Sequence, residues 1–121
     1  MDVVRYCLGL PGAHEDYPFG PETQVFKVGG KLFAIMGDGR ISLKCDPALA
    51  IVLREQWPRA VTPGYHLNKR HWNTITLDGS VPDAELAAWI DDSYALVVDS
   101  LPRAIRAELA PSSPRKRRVS S

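Results

Sequence analysis

Cysteine is scarce in this chain: Cys7 and Cys45 are the only two among 121 residues, and no pair stands at CxxC spacing. That argues against a disulfide-stapled scaffold and favours two structural thiols in a reducing compartment, with a disulfide or a reactive thiol as the alternative. Long apolar runs are also missing, and none approaches the roughly 20 residues that span a bilayer as a helix. The first residues, MDVVRYCLGLPG, have an acid at position 2 and lack the basic start and cleavage site of a signal peptide. A cytoplasmic protein is therefore expected. No internal repeat and no glycine-rich phosphate loop of the form GxxxxGK[ST] occurs. Ser42, Cys45 and His66 offer nucleophile and base chemistry, but nothing in their spacing brings them together. Catalysis is thus left open, with a non-enzymatic protein favoured, and no cofactor is expected.

The hydrophobic content is 45%, which suits one core and one domain. Two domains in this length would each bury too little surface to be stable. The net charge of +1 is unevenly spread. Residues 1–110 carry eleven Lys and Arg against all fourteen acids, a balance of −3, and the run RKRR at 115–118 supplies the remaining +4. Residues 1–110 are read as the folded domain. Residues 111–121, made of proline, serine and charge, are expected to be a disordered basic tail. A folded part that is net negative can recruit an anion only through a local patch.

DVVRYCLGL predicts a first helix capped by Asp2. PGAHEDYPFGPE (11–22) holds three prolines and two glycines and predicts a structured loop. It groups His14, Glu15, Asp16 and Glu22, but neighbouring loop side chains diverge, so no metal is expected. QVFKV, KLFAIMG and RISLKC predict three strands joined by tight turns at Gly29-Gly30 and Asp38-Gly39. Asp46-Pro47 opens a helix that should stop before Pro58. HWNTITLD (71–78) predicts a further strand. DAELAAWIDDSYALVVDSL has Leu86, Ile90, Val97 and Leu101 at helical spacing, and a short helix follows Pro102. Hairpins imply an antiparallel sheet, and the helices can gather on one of its faces. The expected class is α+β, a two-layer sandwich.

Several of these segments, in this order, resemble the MmcQ/YjbR family: LPGAHEDYPFGPE, VFKVGGKLFA, ISLKCDP, VTPGYHLNKRHWNT and WIDDSYALVVDSLP. The resemblance spans about residues 1–109. It implies a fold like that of CyaY and frataxin, in agreement with the sandwich. It also implies DNA binding, the label the family carries, with two β-hairpin wings as the contact. Frataxins bind iron through an acidic first helix. Here that helix has Asp2 alone and carries Arg5, so an iron role is not carried over.

The densest chemistry lies in TPGYHLNKRHWNT (62–74). Tyr65, His66, Asn68, Lys69, Arg70, His71 and Trp72 combine cations for phosphate with flat surfaces for bases, as a nucleic-acid contact requires. A small anionic ligand, bound or acted on, would use the same parts. Set against both, and weighed ahead of either for this stretch taken alone, is a structural loop in which Asn and His side chains tie their own backbone and Trp72 packs on the core. Strand alternation places Lys27, Arg40, Lys44 and Trp72 on the sheet face away from the helices, a candidate platform for phosphates. KLFAIM carries apolar residues on both parities, which implies that this face is partly covered. The leading expectation is DNA binding, followed by a small anionic ligand, and then a protein–protein adaptor with an exposed apolar patch.

Overall fold

In the computed structural model, which describes residues 1–64 and 66–109, four helices pack on one side of a six-stranded sheet. In chain order the elements are α1 (Val3–Leu8), β1 (His14–Asp16), β2 (Gln24–Val28), β3 (Lys31–Gly37), β4 (Arg40–Lys44), α2 (Pro47–Gln56), β5 (Val61–Pro63), β6 (Trp72–Thr76), α3 (Asp83–Asp99) and α4 (Arg103–Leu109). The sheet order is β1-β2-β3-β4-β6-β5, and every neighbouring pair is antiparallel. The expected two-layer α+β sandwich is thus what the chain forms. The basic tail, 111–121, lies outside the described residues. Among those described, no helix is long and apolar enough to cross a membrane.

Local chemistry accounts for most of the element boundaries. Asp2 accepts a hydrogen bond from the Arg5 amide and so starts α1. Asp46 does the same for α2, accepting from the amides of Ala48 and Leu49, with Pro47 in the first turn where its missing N–H costs nothing. Gly29 and Gly30 both have positive φ, 59° and 82°, the mirror-image turn that matches strand twist. β1 departs from expectation, because His14–Asp16 forms a short edge strand on β2 where a loop was predicted. All three of its residues are exposed, so no alternation of polarity announces it.

Register assigns the two faces of the sheet. Phe26, Ala34, Leu43 and Asn73 align across four strands, as do Met36, Ile41, Ile75 and Val61. This is the helix side, and α3 lies on it, burying Leu86, Ile90 and Val97 as its spacing predicts. The mixed pattern of KLFAIM has a specific cause. Phe26 pairs with Ala34 and Lys27 with Leu32, so Phe33 is an extra residue, a β-bulge. The bulge lets consecutive residues Phe33 and Ala34 both enter the core. There the Phe33 ring packs edge-on against Tyr94 of α3 at 5.4 Å.

The β3–β4 ladder stops at the Ala34–Leu43 pair, and the backbone groups just beyond it need partners. The Ser93 hydroxyl of α3 provides them. It donates to the Phe33 carbonyl at 2.6 Å and accepts from the Lys44 amide at 2.8 Å. Extension of the Ala34–Leu43 register would make Phe33 and Lys44 the next pair, so Ser93 inserts its oxygen where β3 and β4 part. Ser93 is fully buried. α2, by contrast, leaves Leu49, Ile51 and Val52 exposed.

Candidate binding groove on the open sheet face

The face away from the helices carries one continuous cross-strand row: Val25, Ile35, Ser42, Thr74 and Thr62. Its middle is polar. The hydroxyls of Ser42 and Thr74 bond to each other at 2.8 Å, and both residues are buried although they lie on the solvent side of the sheet. Val25 is fully buried as well. This face is therefore partly covered, as the pattern of KLFAIM implies. Two loops flank the uncovered part, residues 17–23 on one side and 64–71 on the other.

The second loop is the dense polar stretch, and the structure divides its residues between two jobs. Most of them hold the loop itself. Asn68 accepts from the Arg70 amide at 2.9 Å, and the Lys69 ammonium reaches back to the Gly64 carbonyl at 3.2 Å. The His71 carbonyl accepts from the Cys45 amide at 2.7 Å and so prolongs the β4–β6 pairing beyond β6. Gly64 itself is buried, and a methyl group there would stand 2.7 Å from Trp72 Cβ. The loop is pinned from outside by Arg54 of α2, a residue that sequence reasoning passed over. Its guanidinium donates to Asn73 Oδ1 at 2.7 Å, to the Trp72 carbonyl at 3.4 Å and to the carbonyl of Lys69. Asn73 is nearly fully buried and donates in turn to the Ala50 carbonyl at 3.3 Å. An arginine at the C-terminal end of α2 gives no local sign that it serves a loop 15 residues on.

The other job falls to His66 and Leu67. They form one wall of a groove of about 590 Å³ whose floor is Ile35, Ser42 and Thr74. The backbone of His66 has φ of 58°, a left-handed conformation uncommon for a residue with a side chain. Phe19 and Glu22 of the opposite loop make the facing wall, and the β3–β4 turn with Arg40 closes one end. Phe19 is 65% exposed, an unusual setting for a phenylalanine and one that makes it a rim to the hollow.

Of the nucleic-acid or anion candidates singled out from sequence, only Arg40 and His66 line this groove, joined by Ser42 and Glu22 from the nucleophile and metal groupings that the sequence did not favour. Lys27, Lys44 and Trp72 share its sheet face by register but lie beyond its walls. Asn68, Lys69, Arg70 and His71 belong to the loop body, and Tyr65 lies outside the described residues. Much of the expected cationic platform is engaged within the chain. Lys27 pairs with Asp16 at 3.1 Å, and Arg40 pairs with Asp38 at 3.0 Å. The Asp16 carboxyl is held below its usual range, first by the Tyr17 amide and then by Lys27. Lys44 and Arg70 make no ion pair among the described residues. Ser42 and Cys45 stand on opposite faces of β4, so the serine, cysteine and histidine do not assemble into one site. Both cysteines are buried and unbridged, and burial pushes their thiols up to about 12 for Cys7 and about 11 for Cys45. No three His, Cys, Asp or Glu side chains converge among the described residues.

Of the groove residues in the Pro- and Gly-rich loop, Glu22 was grouped from sequence only with His14, Glu15 and Asp16, and Phe19 was given no site role. The one legible signal for Phe19 is an aromatic residue placed where there is no element for it to pack in.

Fold and groove together define a small α+β domain with one sheet face given to packing and the other hollowed between two loops. The chain belongs to the YjbR family, whose model matches residues 8–96. It is 41% identical over 101 residues to the protein YbdF of Escherichia coli O157:H7, an alignment covering 80% of this chain and 82% of that one. It is 38% identical over 105 residues to YjbR of Escherichia coli strain K12, covering 84% and 88%. Both relatives are described as uncharacterized. The crystal structure of a Deinococcus radiodurans protein with a DUF419 domain superposes with a TM-score of 0.83 at 42% identity, covering 89% of this chain and 85% of that one. A Pseudomonas syringae protein matches with a TM-score of 0.68 at 28% identity, covering 78% and 95%.

Proposed function

We propose that this domain is a small-molecule-binding protein whose site is the groove on the open face of the sheet. The observation that carries the reading is the groove itself. Its volume of about 590 Å³ falls in the range of small-ligand pockets, roughly 300–1,000 Å³. Its lining has the usual makeup of such pockets, with apolar walls from Phe19, Ile35 and Leu67 and a few polar groups, Ser42, Thr74, Arg40 and His66, aimed at one space. Within 64–71, the Asn68 and Lys69 side chains fix a loop whose turn presents His66 and Leu67. A cytoplasmic setting belongs to the same proposal and is supported by two buried, free thiols.

DNA binding is the second reading. It is favoured by one observation: Lys44 and Trp72 are direct cross-strand neighbours on the open face, close to the exposed Arg70. A cation beside an aromatic ring is a fitting contact for a nucleic-acid strand. Amide chemical-shift mapping separates the two readings. A mixture of small polar metabolites should move the signals of Phe19, Gly37, Ser42, Leu67 and Thr74. If only oligonucleotides perturb the protein, with salt-sensitive shifts centred on Lys44, Arg70 and Trp72, the groove reading is wrong and the nucleic-acid reading replaces it.

A further inference from the structure

The groove does not end at Arg40. A second hollow of about 260 Å³ continues around the β3–β4 turn, walled by Tyr17, Pro21 and Met36. The two hollows share Glu22, Gly37 and Arg40. The neck between them is therefore bordered by one acidic and one basic residue, Glu22 and Arg40. Gly37 leaves it open, because a side chain there would begin 3.3 Å from the Glu22 carbonyl.

The two charges at the neck are placed differently. Arg40 is paired with Asp38, whose side chain is 88% exposed, and so exposed a pair contributes little to stability. A guanidinium fork meets a carboxylate through two parallel bonds, which fixes orientation as well as charge. Glu22 has no ion pair among the described residues. Opposite charges flanking one opening suit a ligand that carries both signs close together. The larger hollow beside them has a phenyl ring at its rim, Ile35 and Leu67 on its sides and a hydroxyl pair on its floor.

Resting on the groove reading above, we infer that the ligand class is an α-amino carboxylate with an apolar or aromatic side chain. Its carboxylate meets Arg40, its ammonium meets Glu22, and its side chain enters the larger hollow against Phe19 and Ile35. A ligand of one sign would answer only one of the two charges at the neck, which is how the neck discriminates.

Calorimetry and amide shift mapping with phenylalanine, 3-phenylpropionate, 2-phenylethylamine and inorganic phosphate test this. Phenylalanine should shift the Gly37, Ser42 and Thr74 amides and bind at least tenfold more tightly than either single-charge analogue. Arg40→Gln should abolish its advantage over phenylethylamine, and Glu22→Gln its advantage over phenylpropionate. Both positions are at the surface, and amide spectra of the variants verify that the fold is kept. If phenylpropionate or phosphate matches phenylalanine at the same amides, the zwitterion inference fails while the groove reading stands. If none of the four probes, nor the metabolite mixture, moves the groove amides, both fail.

Discussion

Ser93→Ala tests how the sheet is joined to its helical layer. The substitution removes one oxygen from a fully buried site and leaves two backbone groups without partners, the buried Phe33 carbonyl and the partly buried Lys44 amide. Neither has a partner across β3 and β4, because that pairing stops at Ala34–Leu43. An orphaned buried donor or acceptor costs about 1–3 kcal/mol. Alanine recovers about half a kcal/mol of helix propensity in α3. The net loss should be about 1.5–5.5 kcal/mol, a large share of the roughly 5–15 kcal/mol that stabilises a domain. In thermal terms, at about 3–6 °C per kcal/mol for a chain of this size, the midpoint should fall by at least about 4 °C. Urea unfolding followed by circular dichroism measures it, with an unchanged slope showing that the native surface is intact. Ala95→Ser, on the exposed side of the same helix, is the control and should move stability by no more than about 0.5 kcal/mol. A Ser93→Ala protein as stable as the control would show that water or a shifted strand satisfies the bulge, and that the hydroxyl is not what joins α3 to the sheet.

Other outcomes follow from the same contacts. Arg54→Ala should cost about 1.5–3 kcal/mol, since a buried Asn73 oxygen loses a charged donor, and should speed amide hydrogen exchange across 66–72; unchanged exchange there would mean the loop holds itself. Leu86→Ala and Ile90→Ala should each cost about 2–5 kcal/mol in urea unfolding, and wild-type midpoints in both would misplace the packed face of α3. Stability should also fall on the alkaline side. Burial raises the Cys7 and Cys45 thiols from an ordinary 9.0 to about 12 and about 11, and burial, then the bond to Asp91, raises the Tyr6 hydroxyl from 10.0 to about 12. Above about pH 9 the unfolded chain therefore releases protons that the folded chain keeps, and the balance shifts toward unfolding. Urea midpoints at pH 7 and pH 8 should agree, and the midpoint at pH 10 should be lower; a flat profile would mean these groups are solvated in the fold.

The sequence by itself determined the elements whose signals are local. Caps at Asp2 and Asp46, the turns at Gly29-Gly30 and Asp38-Gly39, the alternation of RISLKC and the helical spacing of Leu86, Ile90 and Val97 each act within a few residues, so each can be read without the fold. Face assignment followed from parity alone, which is why Lys27, Arg40, Lys44 and Trp72 could be placed together. Other features depend on groups far apart in the chain and emerge on folding. β1 exists because β2 offers it an edge, since its own residues carry no strand signal. The KLFAIM pattern resolves through a bulge against β2, and the Phe33 carbonyl there is taken by Ser93, 60 residues away. The polar stretch at 64–71 looked like a contact surface because local composition shows how many donors are present. Whether those donors face a partner or their own backbone depends on Arg54 and Gly64, and on a closeness to α2 that only folding creates. The groove is the extreme case. Phe19, Glu22, Arg40, Ser42 and His66 come from three separate stretches of chain, and no spacing relates them until the antiparallel sheet sets β4 between its neighbours and brings the two loops face to face.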